Sequence, residues 1–326
     1  MTISRPREIK TIVFILIWIV MWAIPLHAQK PVEKVEVGLY LLDVAHLDVK
    51  ESEFFADFYI WYKVASESAW EPKFIEFMNG TIDKATDITP SENKLNKKYW
   101  VQRIKGRFRG HFRLHSYPFD RQTLPIAIED SENNSHELVF VPDPDIASSA
   151  MNWVEPELVV PDWNKESASF TVDVHHYRTD FGLGNQEESD YSRFSFRLVL
   201  SRTFVPHLIK FILPLIIIAG MAYMVFFINA SEFETQCGIC VTALLSAVAL
   251  HISQADALPA VGYLVMSDKI FILFYVVIFS ALVQTVVNNS FAKKKRIDVA
   301  IKLDDFFKVA YVVILVIGAI MIYGFS

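Results

Sequence analysis

Cysteine is nearly absent from this chain: two of 326 residues, Cys237 and Cys240, both inside one apolar stretch. Residues 29–203 contain none, so no disulfide braces that portion. An excess of basic charge is missing too. Lys and Arg number 31 against 37 Asp and Glu, and the net charge of −6 argues against nucleic acid as a partner. No segment repeats and none is of low complexity. Neither G-x-S-x-G nor H-E-x-x-H occurs. His175 and His176 are adjacent, so on a strand they face opposite ways and cannot chelate one ion together. Cys237 and Cys240 stand at C-x-x-C spacing, which on an apolar helix reads as small packed residues rather than as a redox or metal pair. These absences point away from an enzyme and imply no metal and no cofactor.

Apolar residue types make up 52% of the chain, and the mean hydropathy is positive, which marks a protein partly embedded in a membrane. Residues 1–28 read as a secretory signal: Arg5, Arg7 and Lys10, then the apolar Thr11–Ile24, then Leu26-His27-Ala28. A retained first membrane helix is the alternative; either way the following residues are exported. Phe211–Ile228, Ile270–Val287 and Val309–Phe325 are each long enough to cross a bilayer and carry no formal charge. With the segment 234–256 they give four helices, expected at about 204–228, 234–256, 265–290 and 306–326. Lys293-Lys294-Lys295-Arg296 marks the third connection as cytoplasmic, which leaves residues 29–203 outside. The expected division is a signal at 1–28, an extracellular domain at 29–203 and a transmembrane domain at 204–326.

The segment 234–256 is unlike a lipid-facing helix. Glu234, Gly238, Thr242, Leu245, Ala249, Ile252 and Asp256 follow one another at intervals of three or four residues, so all lie on one helical face. Acids stand at the two ends, roughly 33 Å apart at 1.5 Å per residue, about the thickness of the hydrocarbon layer. Charges and hydroxyls facing lipid are costly, so this stripe should face water or protein. A pore lining and a polar packing seam both satisfy that condition.

The exported portion reads as β structure. Val35, Val37, Leu39 and Leu41 recur at every second position, as do Phe170, Val172 and Val174, and then Phe194, Phe196, Leu198 and Leu200. Asn79-Gly80, Asp143-Pro144 and Gly182-Leu183-Gly184-Asn185 supply turns. Many short strands over this length indicate an antiparallel sandwich.

Tyr117-Pro118-Phe119-Asp120-Arg121-Gln122 resembles the signature loop of Cys-loop receptors in its cysteine-free prokaryotic form. Trp70-Glu71-Pro72 with Glu76-Phe77-Met78-Asn79 is similar to the family's W-x-P and the strand after it. Arg202 ahead of Phe211-Ile212-Leu213-Pro214 resembles the arginine that enters the first membrane helix. Leu258-Pro259, Tyr263 and Asp268 resemble the loop joining helices two and three. By these motifs the chain is similar to a bacterial pentameric ligand-gated ion channel, and the short link 291–305 between the last two helices fits that branch.

The resemblance implies an immunoglobulin-like all-β extracellular sandwich followed by four transmembrane helices, in a homopentamer around a pore in the inner (plasma) membrane. Five copies of Glu234 would hold a carboxylate ring that favours cations, Asp256 would concentrate them at the outer mouth, and Thr242 could replace hydration water. Leu245, Ala249 and Ile252 would form an apolar constriction. Gly238 stands where a hydroxylated residue is common. Asp48, Asp120 and Arg202 would form an ion-paired cluster coupling the two domains, with Pro259 and Tyr263 in the facing loop. Tyr177, Tyr191, Glu76, Glu129 and Ser131, with Tyr59 from a neighbouring subunit, would form the agonist site. Ser131 replaces an aromatic there, which weighs against an amine agonist, and protons are the other candidate. The competing expectation is a membrane-anchored binding or sensor protein that conducts no ions.

Overall fold

The computed structural model describes residues 31–324, apart from 89, 93–95, 147–148, 183–188 and 257. The segment 1–28 lies outside the described residues, as does the middle of the 182–190 turn. Ten strands form two sheets: β1 (Glu33–Asp48), β2 (Glu53–Ala65), β3 (Ile75–Phe77), β4 (Gly80–Ala85), β5 (Ser91–Glu92), β6 (Lys97–Arg109), β7 (Arg121–Asp130), β8 (Leu138–Pro142), β9 (Trp163–Tyr177) and β10 (Ser189–Arg202). One sheet runs β4-β6-β2-β1-β8, with β5 beside β6, and the other runs β3-β7-β10-β9.

The alternation seen in the sequence decides which faces meet. Val35, Val37 and Leu39 of β1 and Phe54, Phe58 and Ile60 of β2 are buried against Leu124, Ile126 and Ile128 of β7 and Phe194, Phe196 and Leu198 of β10. Phe54, Phe58, Phe77 and Phe108 pack ring on ring, with centroids 5.7 to 6.0 Å apart. Asn79 stitches the two sheets where the chain crosses between them. Its amide donates to the carbonyls of Arg109 (2.8 Å) and Pro125 (2.7 Å) and accepts from the Ala127 N–H (3.0 Å). Its neighbour Gly80 lies so close to Phe108 that a Cβ there would stand 2.4 Å from the ring. Asn79-Gly80 is thus a sheet-to-sheet crossing rather than a hairpin.

Among the described residues four helices long and apolar enough to cross a membrane follow: α1 (Phe204–Phe227), α2 (Phe233–Ala255), α3 (Met266–Lys293) and α4 (Ile297–Gly324). Within α1, Leu208–Ile212 widens into a π turn just before Pro214, which has no N–H to close the regular ladder onto the Lys210 carbonyl. The helices pack through Phe211, Leu215, Cys240, Ala243, Ala247, Phe271, Ile278 and Tyr311. Tyr311 of α4 donates to the Ala219 carbonyl of α1 at 2.8 Å.

Two boundaries differ from expectation. α3 continues to Lys293, and α4 begins at Ile297 instead of near residue 306, so only Lys294–Arg296 separates them. Hydropathy finds only the part of a helix that meets lipid, whereas Asp298, Lys302, Asp304 and Asp305 continue the same helix in polar form. At 1.5 Å per residue α4 measures about 42 Å, longer than a hydrocarbon layer of about 30 Å, so its first turns extend beyond the apolar layer.

Candidate functional site

On α2 and at the residue that caps its end, the seven stripe residues share one property: Glu234, Gly238, Thr242, Leu245, Ala249, Ile252 and Asp256 are all exposed on the single chain. Leu245 is 64% and Ile252 60% exposed, large values for aliphatic side chains. The opposite face, Gln236, Cys240, Ala243 and Ala247, is buried against α1 and α3. Gln236 anchors that face by donating to the Ile228 carbonyl at 2.9 Å. Small residues there let the helices approach closely. Cys237 and Cys240 are free thiols, the second fully buried. Among the described residues no group of three or more His, Cys, Asp or Glu could hold a metal ion.

At the junction of the two domains Arg202 and Asp120 form a two-pronged ion pair, Nε to Oδ1 at 2.7 Å and Nη2 to Oδ2 at 3.1 Å. Both side chains are buried, and the Arg202 N–H also donates to the Asp120 carbonyl at 3.1 Å. The guanidinium lies over the rings of Trp163 (4.2 Å) and Tyr117 (5.0 Å), while Gln122 Nε2 donates to Asp120 Oδ2 at 2.5 Å. Burial pushes the Tyr117 phenol above its ordinary pKa. Trp163 stands opposite Arg202 in the β9–β10 register, which is why it covers the guanidinium.

Asp48 does not join the pair. Its Oδ1 accepts from the N–H groups of Lys50 (2.8 Å) and Glu51 (3.0 Å), so the carboxylate closes its own turn. The α2–α3 loop docks on the signature loop instead through rings and backbone. Tyr263 stacks on His115 at 3.9 Å and 2°, and its hydroxyl accepts from the Leu114 N–H at 3.3 Å. Met266 and Ser267 donate to the carbonyls of His115 (2.8 Å) and Tyr117 (3.0 Å). Leu114, Tyr117 and Val265 close a small apolar cluster with Leu258 and Val261, and Pro259 sits half-buried beside it.

The third group lies on the outer face of the β3-β7-β10-β9 sheet. The Tyr177 hydroxyl donates to Glu129 Oε2 at 2.9 Å, and Arg193 Nε donates to Glu129 Oε1 at 2.6 Å. Burial first, then Glu129, raises the Tyr177 phenol above its ordinary pKa. Tyr177, Tyr191 and Phe181 meet edge to face, with centroids 5.2 to 6.3 Å apart, and Phe181 is 60% exposed. Glu76 stands directly opposite Glu129 across the β3–β7 pairing. Ser131 is tied to the Phe74 carbonyl at 3.1 Å. Tyr59 belongs to the other sheet, where Arg103 lies 5.7 Å over its ring, so one chain does not bring it to Tyr177.

Sequence reasoning missed Arg193, Phe181, His115 and Trp163. The signal for Arg193 was present, since it follows Tyr191 by two residues and therefore shares its strand face.

Residues 211–307 match the family described as the neurotransmitter-gated ion-channel transmembrane region. The proton-gated ion channel of Gloeobacter violaceus is 23% identical over 225 residues, 68% of this chain and 58% of that protein. The pH-sensitive chloride channel 2 of Drosophila melanogaster is 24% identical over 221 residues, 66% of this chain and 40% of that one. The acetylcholine receptor subunit gamma of Gallus gallus is 21% identical over 203 residues, 60% of this chain and 38% of that one. The chain thus spans roughly two fifths to three fifths of the length of these relatives. Together with the four apolar helices, these likenesses indicate a multi-pass membrane protein similar to gated ion channels. A chloride channel and a proton-gated channel both stand among these relatives.

Proposed function

We propose that the chain is one of five identical subunits of a bacterial ligand- or proton-gated, cation-selective channel in the inner membrane, with α2 lining the pore and the sandwich on the periplasmic side. The observation that carries this is the exposure of all seven stripe residues on a helix whose other face is buried. An apolar helix that presents two carboxylates, a hydroxyl and aliphatic side chains on one unpartnered face needs an aqueous lumen and copies of itself. A membrane anchor for a sensor domain has no use for that arrangement.

Five Glu234 carboxylates at the inner mouth would concentrate cations and repel anions, and Asp256 would do the same outside. With the purified protein in a planar bilayer under a NaCl gradient, the reversal potential should follow sodium. Glu234→Ala should bring it measurably toward zero or reduce the conductance. A reversal near the chloride potential in the unaltered protein rejects cation selectivity.

The agonist site in this reading is Tyr177, Tyr191 and Phe181, with Tyr59 reaching them from the next subunit. Glu129 is committed to Arg193, so its charge is not free for an ammonium group; Glu76 is the exposed carboxylate beside it. Hydrogen bonds to charged groups contribute about 1.5–3 kcal/mol, and a loss of 1.4 kcal/mol is about tenfold in affinity. Because Glu129 holds Tyr177 and Arg193 in place through such bonds, Glu129→Gln should disorder the aromatic wall and raise the half-activating level about tenfold or more, while Ser131→Ala shifts it by less than about twofold. Equal effects would remove Glu129 from the site.

A further inference from the structure

A cavity of about 470 Å³ opens where the two domains meet, lined by the β1–β2 turn from His46 to Lys50 together with Tyr117, Arg202, His207 and Leu258. Its size lies within the usual range for small-molecule sites, roughly 300–1,000 Å³. Its lining holds the cations Lys50 and Arg202 and the anion Asp48, and Asp120, paired with Arg202, brings the formal charge of the group to zero. Asp48 keeps its charge, but its Oδ1 is held by the N–H groups of Lys50 and Glu51. Asp120 engages only Nε and Nη2 of Arg202, which leaves Nη1 for a further acceptor. His207 Nδ1 donates to the Thr203 carbonyl at 3.1 Å, so its Nε2 is an acceptor in the neutral ring and a donor only in the charged one. An ammonium, a guanidinium and two imidazoles therefore border one space, and Leu47, Val49 and Leu258 give it an apolar side.

We propose that this cavity binds a phosphate ester. Several donors converging from different segments suit an anion with three acceptor oxygens, and the apolar side suits an organic body. The cavity lies where α1 begins and above the α2–α3 loop, so the phosphate could belong to a lipid headgroup of the outer leaflet or to a soluble ester. A ligand there would touch the β1–β2 turn, the signature loop, the start of α1 and the α2–α3 loop at once. That is a position from which binding changes coupling between the domains, a consequence that rests on the channel reading although the binding itself does not.

The test is the thermal unfolding of the purified full-length protein titrated with glycerol 3-phosphate, with dioctanoyl phosphatidic acid and, as the phosphate-free control, with dioctanoylglycerol. A saturable rise in the midpoint with either phosphate compound is expected, and Lys50→Gln should raise the half-saturating concentration about fivefold or more. Lys50→Arg should restore most of it. A response to both phosphate compounds identifies a soluble ester as a sufficient ligand, and a response to the lipid alone identifies a headgroup. No saturable rise, an equal rise with dioctanoylglycerol, or a half-saturation that is the same in Lys50→Gln and in Lys50→Gln/His207→Gln as in the unaltered protein overturns the site. Currents recorded at the saturating concentration then test the coupling role separately, since a bound ester that leaves them unchanged contradicts only that role.

Discussion

Arg202→Gln and Asp120→Asn are each expected to impair assembly or gating severely, with a stability loss of about 3–5 kcal/mol, the usual consequence of removing one partner of a buried ion pair. Asp120 is buried, and Arg202 is largely covered by Trp163 and Tyr117 and meets solvent only at the cavity edge, so neither charge is well solvated when its partner is gone. Because Asp120 belongs to the signature loop and Arg202 ends β10, the pair fixes the loop to the strand that becomes α1. Arg202→Lys keeps the charge but loses the fork and the planar face that rests on Trp163, so it should rescue only partly. The double mutant should be scarcely worse than either single one, measured both as denaturant unfolding and as open probability. Additive losses in both readouts would show that the residues act independently.

Leu245→Ser should raise basal opening about tenfold or more and slow closure. An apolar ring blocks ions by shedding water, and hydroxyls keep that level wet. If five subunits each contribute even about 0.3 kcal/mol to that barrier, the sum of about 1.4–1.5 kcal/mol is already tenfold in the open–closed balance. Leu245 is the largest exposed aliphatic side chain near the middle of α2, with Ile252 nearer the outer end. Single-channel records of a normally assembled Leu245→Ser protein that match the unaltered protein would move the gate to Ile252.

The fold was legible wherever one physical signal dominates. Period-two apolar alternation marked β1 and β10, uninterrupted apolar runs marked the cores of four helices, and the three-to-four spacing of Glu234 through Asp256 identified the exposed face of α2. The start of α4 was hidden because Asp298 to Asp305 are helical yet polar, and hydropathy measures affinity for lipid rather than helicity. The junction was half legible. The motifs singled out Asp120 and Arg202, and the structure pairs them, but nothing in the sequence showed that Asp48 would spend its carboxylate on its own turn. His115 against Tyr263 and Trp163 over Arg202 are contacts between segments far apart in the chain, set by register and docking, and no local pattern encodes them. Glu129 was named for the agonist site, and the structure sets it beside Tyr177, while its commitment to Arg193 depends on a pairing of β7 with β10 that only the sheet reveals.

That α2 lines an aqueous pathway is tested most directly by cysteine accessibility along the helix. In a background carrying Cys237→Ser and Cys240→Ala, cysteines placed one at a time at 242, 243, 245, 247, 249 and 252 would be exposed to a charged thiol reagent during current recording in a planar bilayer. Thr242→Cys, Leu245→Cys, Ala249→Cys and Ile252→Cys should react and change the current, whereas Ala243→Cys and Ala247→Cys, which face α1 and α3, should not. Modification of the 243 and 247 positions with silence at 245, 249 and 252, or no helical period at all, would contradict the assignment of this face to a pore.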